Sequence, residues 1–199
     1  MTPTFDPEKH EYRDGAGRVL PSVTQIIRES VECHEASDWY LQRGTAVHAA
    51  VALALQGKLD YSSLDPRIRA RVQAAVNIFK DKSLEVVAIE KTMASAKLRF
   101  AGTTDLIAKN YSGEYLLYDW KSSYSPESLL QLAAYKMLWD ESNKVKIQHG
   151  CILEIRENGG YHCYWRTAKQ MKADGNVFLH ALSLHAWKST NNKLRRQQA

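Results

Sequence analysis

The stretch LLYDWKSS, residues 116–123, places an aspartate and a lysine two positions apart behind a run of strand-forming residues. Side chains alternate along a strand, so Asp119 and Lys121 project to one face with Leu117, while Leu116, Tyr118 and Trp120 project to the other. Withdrawing such a carboxylate and ammonium from water costs roughly several kcal/mol per ion unless they pair or meet a cation, a substrate or water. A second carboxylate, Asp105, stands in the otherwise apolar stretch AGTTDLIA, and a hairpin turning through Asn110 to Gly113 brings it beside Asp119. Two adjacent carboxylates repel, so either one is protonated or both bind a metal. Oxygen ligands suit a hard cation, Mg2+ or Mn2+, rather than zinc. Beside such a cation Lys121 would orient a water and offset charge developing on a phosphate, which is the chemistry of phosphodiester hydrolysis. The alternative for Asp119 and Lys121 is an exposed ion pair at a sheet edge.

The elements that must position these residues are legible in outline. HEYRDGAGRVLP reads as a hairpin turning at Asp14-Gly15 and Gly17, and Ser22 caps a short helix through VTQIIRES. An alanine-rich helix follows from Ser37 to about Gln56, with Gly44 as a candidate break near its middle. Another begins with Asp65 as N-cap and Pro66 at its first position; Ile68, Val72, Ala75, Val76 and Phe79 form its apolar stripe, and Arg67, Arg69 and Arg71 occupy other faces as solvated side chains. LEVVAIEKTMA, LRFAGTTDLIAKN and EYLLYDWKSS are three successive strands, the first ending at Glu90. SPESLLQLAAYKMLWDE is a helix with Ser125 as N-cap and Pro126 next. Two more strands flank Glu157 to Gly160, and a last helix spans about Lys169 to Trp187. Helices, three strands, a helix, two strands and a helix define an α/β fold: a mixed central sheet flanked by helices, with an N-terminal helical section.

With 199 residues the chain fits one domain at roughly 100 to 200 residues each, and 44% hydrophobic with 25% charged residues excludes wholesale disorder and a coiled coil. The charge of +5 permits a polyanionic partner without requiring one, and Lys193, Arg195 and Arg196 place part of that excess in a basic tail from about residue 188 to 199. Cys33, Cys151 and Cys163 include no C-x-x-C pair, which fits neither a disulfide framework nor a four-cysteine metal site and suits a reducing compartment. The first residues lack the apolar core of a signal peptide, and no apolar run approaches the ~18 residues of a membrane helix, so a soluble cytoplasmic protein without membrane contact is expected.

RGTAVH at 43–48, IE at 89–90, GTTD at 102–105, DWK at 119–121 and QLAAY at 131–135 resemble, in order and spacing, the motifs of the PD-(D/E)xK nuclease superfamily, and within it the RecB-like exonuclease branch. LPSVTQII is similar to the entry segment of small phage and mitochondrial members. The resemblance runs from about residue 20 to 136 and implies one nuclease domain over 1–199, with its core motifs between 43 and 136. It implies that Asp105 and Asp119 hold the metal, that Lys121 is the catalytic lysine, and that the backbone carbonyl of Trp120 is a further ligand. It makes His48 a ligand, whereas among its apolar neighbours alone a core histidine would serve. Glu90 would be a ligand or a near partner of the site; a solvated strand end is the alternative. Gln131 and Tyr135 share a helical face one turn apart, and the resemblance sets them against the DNA strand. Arg43 and Ser122 complete the expected DNA contacts. Trp39 and Tyr40 read as core residues, base stacking being the alternative.

The implied function is a Mg2+-dependent DNA exonuclease, Mn2+ substituting, that hydrolyses linear DNA from its ends in recombination or repair. The alternatives are a structure-specific or restriction-like endonuclease on the same fold, or a catalytically inactive partner that binds DNA ends. Three cysteines cannot supply the four of the iron-sulfur members, so no cluster is expected, and no G-x-x-x-x-G-K-[ST] motif signals ATP use. A single-strand annealing protein or a helicase on another chain is a candidate partner. The expected setting is the cytoplasm of a bacterium or phage-infected cell, a mitochondrial-type relative being the other.

Overall fold

The computed structural model describes residues 3–31 and 38–197, leaving out the side chains of 38, 40, 41 and 193–197. A small antiparallel sheet of β1 (Thr4–Asp6), β2 (Glu11–Arg13) and β3 (Val19–Leu20) leads into α1 (Val23–Arg28), capped where Ser22 Oγ accepts the Gln25 amide. Buried Asp14 holds that hairpin's turn, accepting the Ala16 and Arg18 amides, and these hydrogen bonds keep its carboxyl below the usual carboxylate range. Then come α2 (Asp38–Leu55), α3 (Pro66–Asp81), β4 (Glu85–Ala94), β5 (Ala101–Lys109), β6 (Tyr115–Lys121), α4 (Glu127–Ser142), β7 (Ile147–Ile155), β8 (Tyr161–Thr167) and α5 (Ala168–Gln197).

The main sheet runs β4-β5-β6-β7-β8, antiparallel except for β6 against β7, which α4 joins as a crossover. This is the mixed sheet that the order of elements predicts. One face is packed by α1, α4 and α5 through Ile26, Leu132, Leu138 and Phe178 against Ile107, Leu117 and Ile152. The other is packed by α2 and α3 through Val51, Val72 and Phe79 against Leu106, Tyr118 and Trp120. The middle strands are thus covered on both sides, as a run such as LIA or LLY requires.

Several boundaries differ from the expectations. Gly44 does not break α2. The Ser37 cap and Cys33 lie outside the described residues. The N-cap of α4 is Pro126 rather than Ser125, whose carbonyl instead accepts the Ser128 amide. β4 continues four residues past Glu90 to Ala94. α5 runs on through the residues assigned to a tail, and Lys188 Nζ donates to the Glu29 carbonyl on α1. Trp39 is 48% exposed rather than core, with the Arg43 guanidinium 4.3 Å over its ring; the Tyr40 side chain lies outside the described residues. No helix among the described residues is long and apolar enough to cross a membrane.

Candidate active site

Three carboxylates stand in a row across three neighbouring strands. The pairs Ile89 with Leu106 and Lys91 with Thr104 set Glu90 opposite Asp105. One step beyond the pair Leu106 with Tyr118, Asp105 faces Asp119. The row therefore follows from register, since residues opposite one another share a face. β6 is central and Asp119 is buried at 2%, which rules out the exposed pair at a sheet edge.

Lys121 Nζ pairs with Asp119 Oδ2 at 2.7 Å, and among the described residues no other donor reaches that buried oxygen. Burial, together with nearby Asp105, outweighs Lys121 and pushes the Asp119 carboxyl up to about 6. Burial likewise disfavours the Lys121 ammonium, but the carboxylates of Asp119 and Asp105 outweigh it and hold its pKa above the ordinary lysine value.

α2 delivers His48 to this row. Its Nδ1 is 3.1 Å from Asp105 Oδ1, and the other Asp105 oxygen accepts the Trp120 amide at 2.7 Å. Burial works against the imidazolium, but Asp105 more than compensates and raises the His48 pKa. Burial raises Asp105 too, yet His48, Lys121 and the Trp120 amide bring it below its ordinary value. In an extended strand the amide and carbonyl of one residue point to the same side, so the Trp120 carbonyl is also directed toward Asp105.

Glu90 has a left-handed φ of 45° inside a strand, a conformation that costs a glutamate on the order of 1 kcal/mol or more. Its side chain is exposed overall, while its carboxyl end is crowded by the site; that desolvation, then Asp105, pushes it up to about 7.

These donors fit a hard cation. His48, Glu90 and Asp105 each offer one ligand atom, all within 4.8 Å of one another. Asp119, counted with His48 and Asp105 in the expected ligand set, stands next to this trio with one oxygen paired to Lys121. Mutual repulsion among these buried carboxylates is what a divalent cation would relieve.

Arg43, His48, Trp120, Lys121 and Ser122 line one pocket, together with Arg71. Arg71 is the residue that sequence reasoning missed: it is 4% exposed, not solvated, and its Nε donates to the Ile155 carbonyl at 3.1 Å. Glu157 pairs with both arginines, at 2.5 Å from Arg43 and 3.5 Å from Arg71. Among the described residues no partner reaches the buried Arg71 Nη1. Arg67 and Arg69 are exposed as expected.

Gln131 and Tyr135 share a face of α4, and Gln131 reaches Thr24 of α1. Gln131 Nε2 donates to Thr24 Oγ1 at 3.3 Å. Tyr135 is buried, and burial followed by the nearby charges of Asp119 and Asp105 keeps its phenol protonated. Gly102 makes room for it, because a Cβ there would stand 2.7 Å from Tyr135 Cε1. That is a physical reason for the glycine three residues before Asp105.

A family model described as the PD-(D/E)XK nuclease superfamily matches residues 64–198, about two thirds of the sequence. The chain belongs to that superfamily, whose members use divalent metals. The match spans Glu90, Asp105, Asp119 and Lys121 and leaves out α2 with Arg43 and His48. Among solved structures, the chain is similar to an alkaline exonuclease, LHK-Exo, from Laribacter hongkongensis, at 10% identity over 88% of this chain and 94% of that one, with a TM-score of 0.43. It is similar also to LHK-Exo in complex with dAMP, at 12% identity over 88% and 94%, with a TM-score of 0.42. No curated protein matches the sequence.

Proposed function

We propose that this chain is a metal-dependent DNA exonuclease that hydrolyses phosphodiester bonds from DNA ends, using Mg2+ or Mn2+. The observation that carries the reading is the row Glu90, Asp105, Asp119 across adjacent strands, with the Lys121 ammonium on its last member. His48, Glu90, Asp105 and Asp119 would hold the cation, with the Trp120 carbonyl directed to the same side. Bound there, the cation would polarise the scissile phosphate and acidify a water.

The chain's own groups supply the rest. Arg43 and Ser122 hold a DNA phosphate in the pocket beside Lys121, with the buried Arg71 guanidinium adding positive charge beneath it. Lys121 orients the attacking water and offsets the charge that builds on the phosphate oxygens, which puts a cation where charge develops. His48 fixes Asp105 through Nδ1, and the Trp120 amide fixes its other oxygen. Gln131, tied through Thr24 to α1, and buried Tyr135 keep α4 in register behind the row. Action at ends is supported by the motif resemblance to exonucleases, and a role in recombination or repair rests on the same resemblance.

The reading is tested by incubating the protein with a mixture of linear duplex and covalently closed circular DNA, with Mg2+ or with EDTA. Consumption of the linear DNA alone, only with Mg2+, is the expected result. Cutting of the circle would replace the exonuclease by an endonuclease, and survival of both DNAs would make the chain a binding protein.

A further inference from the structure

On the outer side of α4 lies a groove of about 700 Å³, bounded by the first turns of α5 and the loop between β4 and β5. Its α4 wall is Ala133, Lys136, Met137, Asp140 and Glu141, spacings of three and four that put them on one helical face. Met171 and Leu179 of α5 face them, and at Gly175 a Cβ would stand 3.4 Å from Met137 Sδ, so the two helices approach closely at the floor. That volume and apolar lining are those of a binding site rather than a surface ripple.

The groove's charges are not balanced. Glu141 uses both carboxylate oxygens on the loop, accepting from Ser95 Oγ at 2.6 Å and from the Ala96 amide at 3.0 Å. Asp140 accepts the Ile147 amide at 3.0 Å and pairs with Lys136. Both acids thus have partners within the chain, Glu141 on the loop and Asp140 on the amide of Ile147, and they hold the lip of the groove in place. Lys97, Lys169 and Lys172 are exposed on its rim, and no carboxylate pairs with them among the described residues. Leu98, 39% exposed, adds an apolar lip.

We propose that this groove docks an acidic peptide segment of a partner protein, one in which carboxylates flank a bulky apolar side chain. The apolar side chain enters between Met137 and Leu179, over buried Met171 and beside Leu98, and the carboxylates meet the three rim lysines. A rigid, preformed groove lowers the ordering cost of such docking. A nucleic-acid strand fits less well, because binding single strands relies on exposed aromatic faces for stacking. The aromatic ring here, Phe100, is fully buried against Phe178 at 5.0 Å.

The test is fluorescence anisotropy on the full chain with a labelled aspartate-rich peptide carrying phenylalanine and leucine. Its controls are the same peptide with both apolar residues replaced by serine, and a labelled oligothymidylate. The acidic apolar peptide binds, and the serine version binds about tenfold more weakly or worse. The double variant Lys169→Glu, Lys172→Glu weakens the first peptide by about tenfold as well, and so does Leu98→Ser, both at exposed positions and with unchanged melting temperatures. Equal binding of the two peptides, or no response to either variant, overturns the proposal. So does a lysine-dependent grip on the oligothymidylate without one on the peptide. A wild-type dimer that Leu98→Ser dissociates would make the occupant a second copy of this chain, which also overturns it.

Discussion

Asp119 Oδ2 and the Lys121 ammonium lie 2.7 Å apart on one face of a central strand, and the aspartate side chain is only 2% exposed. The carboxylate is costly there: its pKa rises from 3.8 to about 6, so folding is opposed whenever it is ionised. For an acid whose folded pKa is raised, that cost is absent below the unfolded pKa and complete above the folded one. Asp119→Asn alone would leave the Lys121 ammonium without that partner, so the cost is read from the double variant Asp119→Asn, Lys121→Met, which removes both charges and stabilises the metal-free protein by about 1–3 kcal/mol at neutral pH. The gain holds above about pH 6 and vanishes toward pH 3.8. Urea unfolding in EDTA, as a function of pH, checks it.

A cation relieves the same repulsion. Mn2+ or Mg2+ at about a hundredfold over its dissociation constant raises stability by about 2.7 kcal/mol. Calorimetric melting with and without the ion shows the shift. His48→Ala and Asp105→Asn, each removing a member of the trio within 4.8 Å, abolish most of it.

Gly102→Ala puts a methyl 2.7 Å from Tyr135 Cε1 and 3.0 Å from Val23 Cγ2. Overpacking of this kind costs about 1–3 kcal/mol. Equilibrium unfolding measures the loss. A second substitution, Tyr135→Leu, recovers part of it by removing the clashing ring.

Arg71→Met retains the buried stem and loses the guanidinium. DNA affinity falls by about tenfold, and the slope of log affinity against log salt drops by about 0.9. Binding measured in Ca2+ across a salt series separates this from a folding defect, since a misfolded fraction changes amplitude rather than slope.

The parts of this site that depend on periodicity are legible in the sequence. Alternation along LLYDWKSS puts Asp119 and Lys121 on one face, and the short turn at Asn110 to Gly113 brings Asp105 beside them. Asp65 and Ser22 are visible as caps because their side chains have amides to accept from. What periodicity cannot show is a residue that breaks its local rule. Arg71 is charged, so its burial is unexpected until the Ile155 carbonyl and Glu157 arrive from strands and turns more than eighty residues away. Glu90 reads as a strand end because nothing in its neighbours announces a left-handed φ within β4. Trp39 looks like core by composition, but α2 turns it outward beneath Arg43. The groove beside α4 is invisible for a similar reason: Lys97, Lys136 and Lys172 come from three separate elements.

The most direct measurement is made on Lys121→Met, comparing metal binding by calorimetry with the rate of DNA cleavage in the same preparation. If Lys121 acts on the water and the phosphate, the rate falls by about 10²–10⁴ while metal affinity changes less than about tenfold. Cleavage that survives the substitution, or a rate that falls only in proportion to lost metal, would contradict the account.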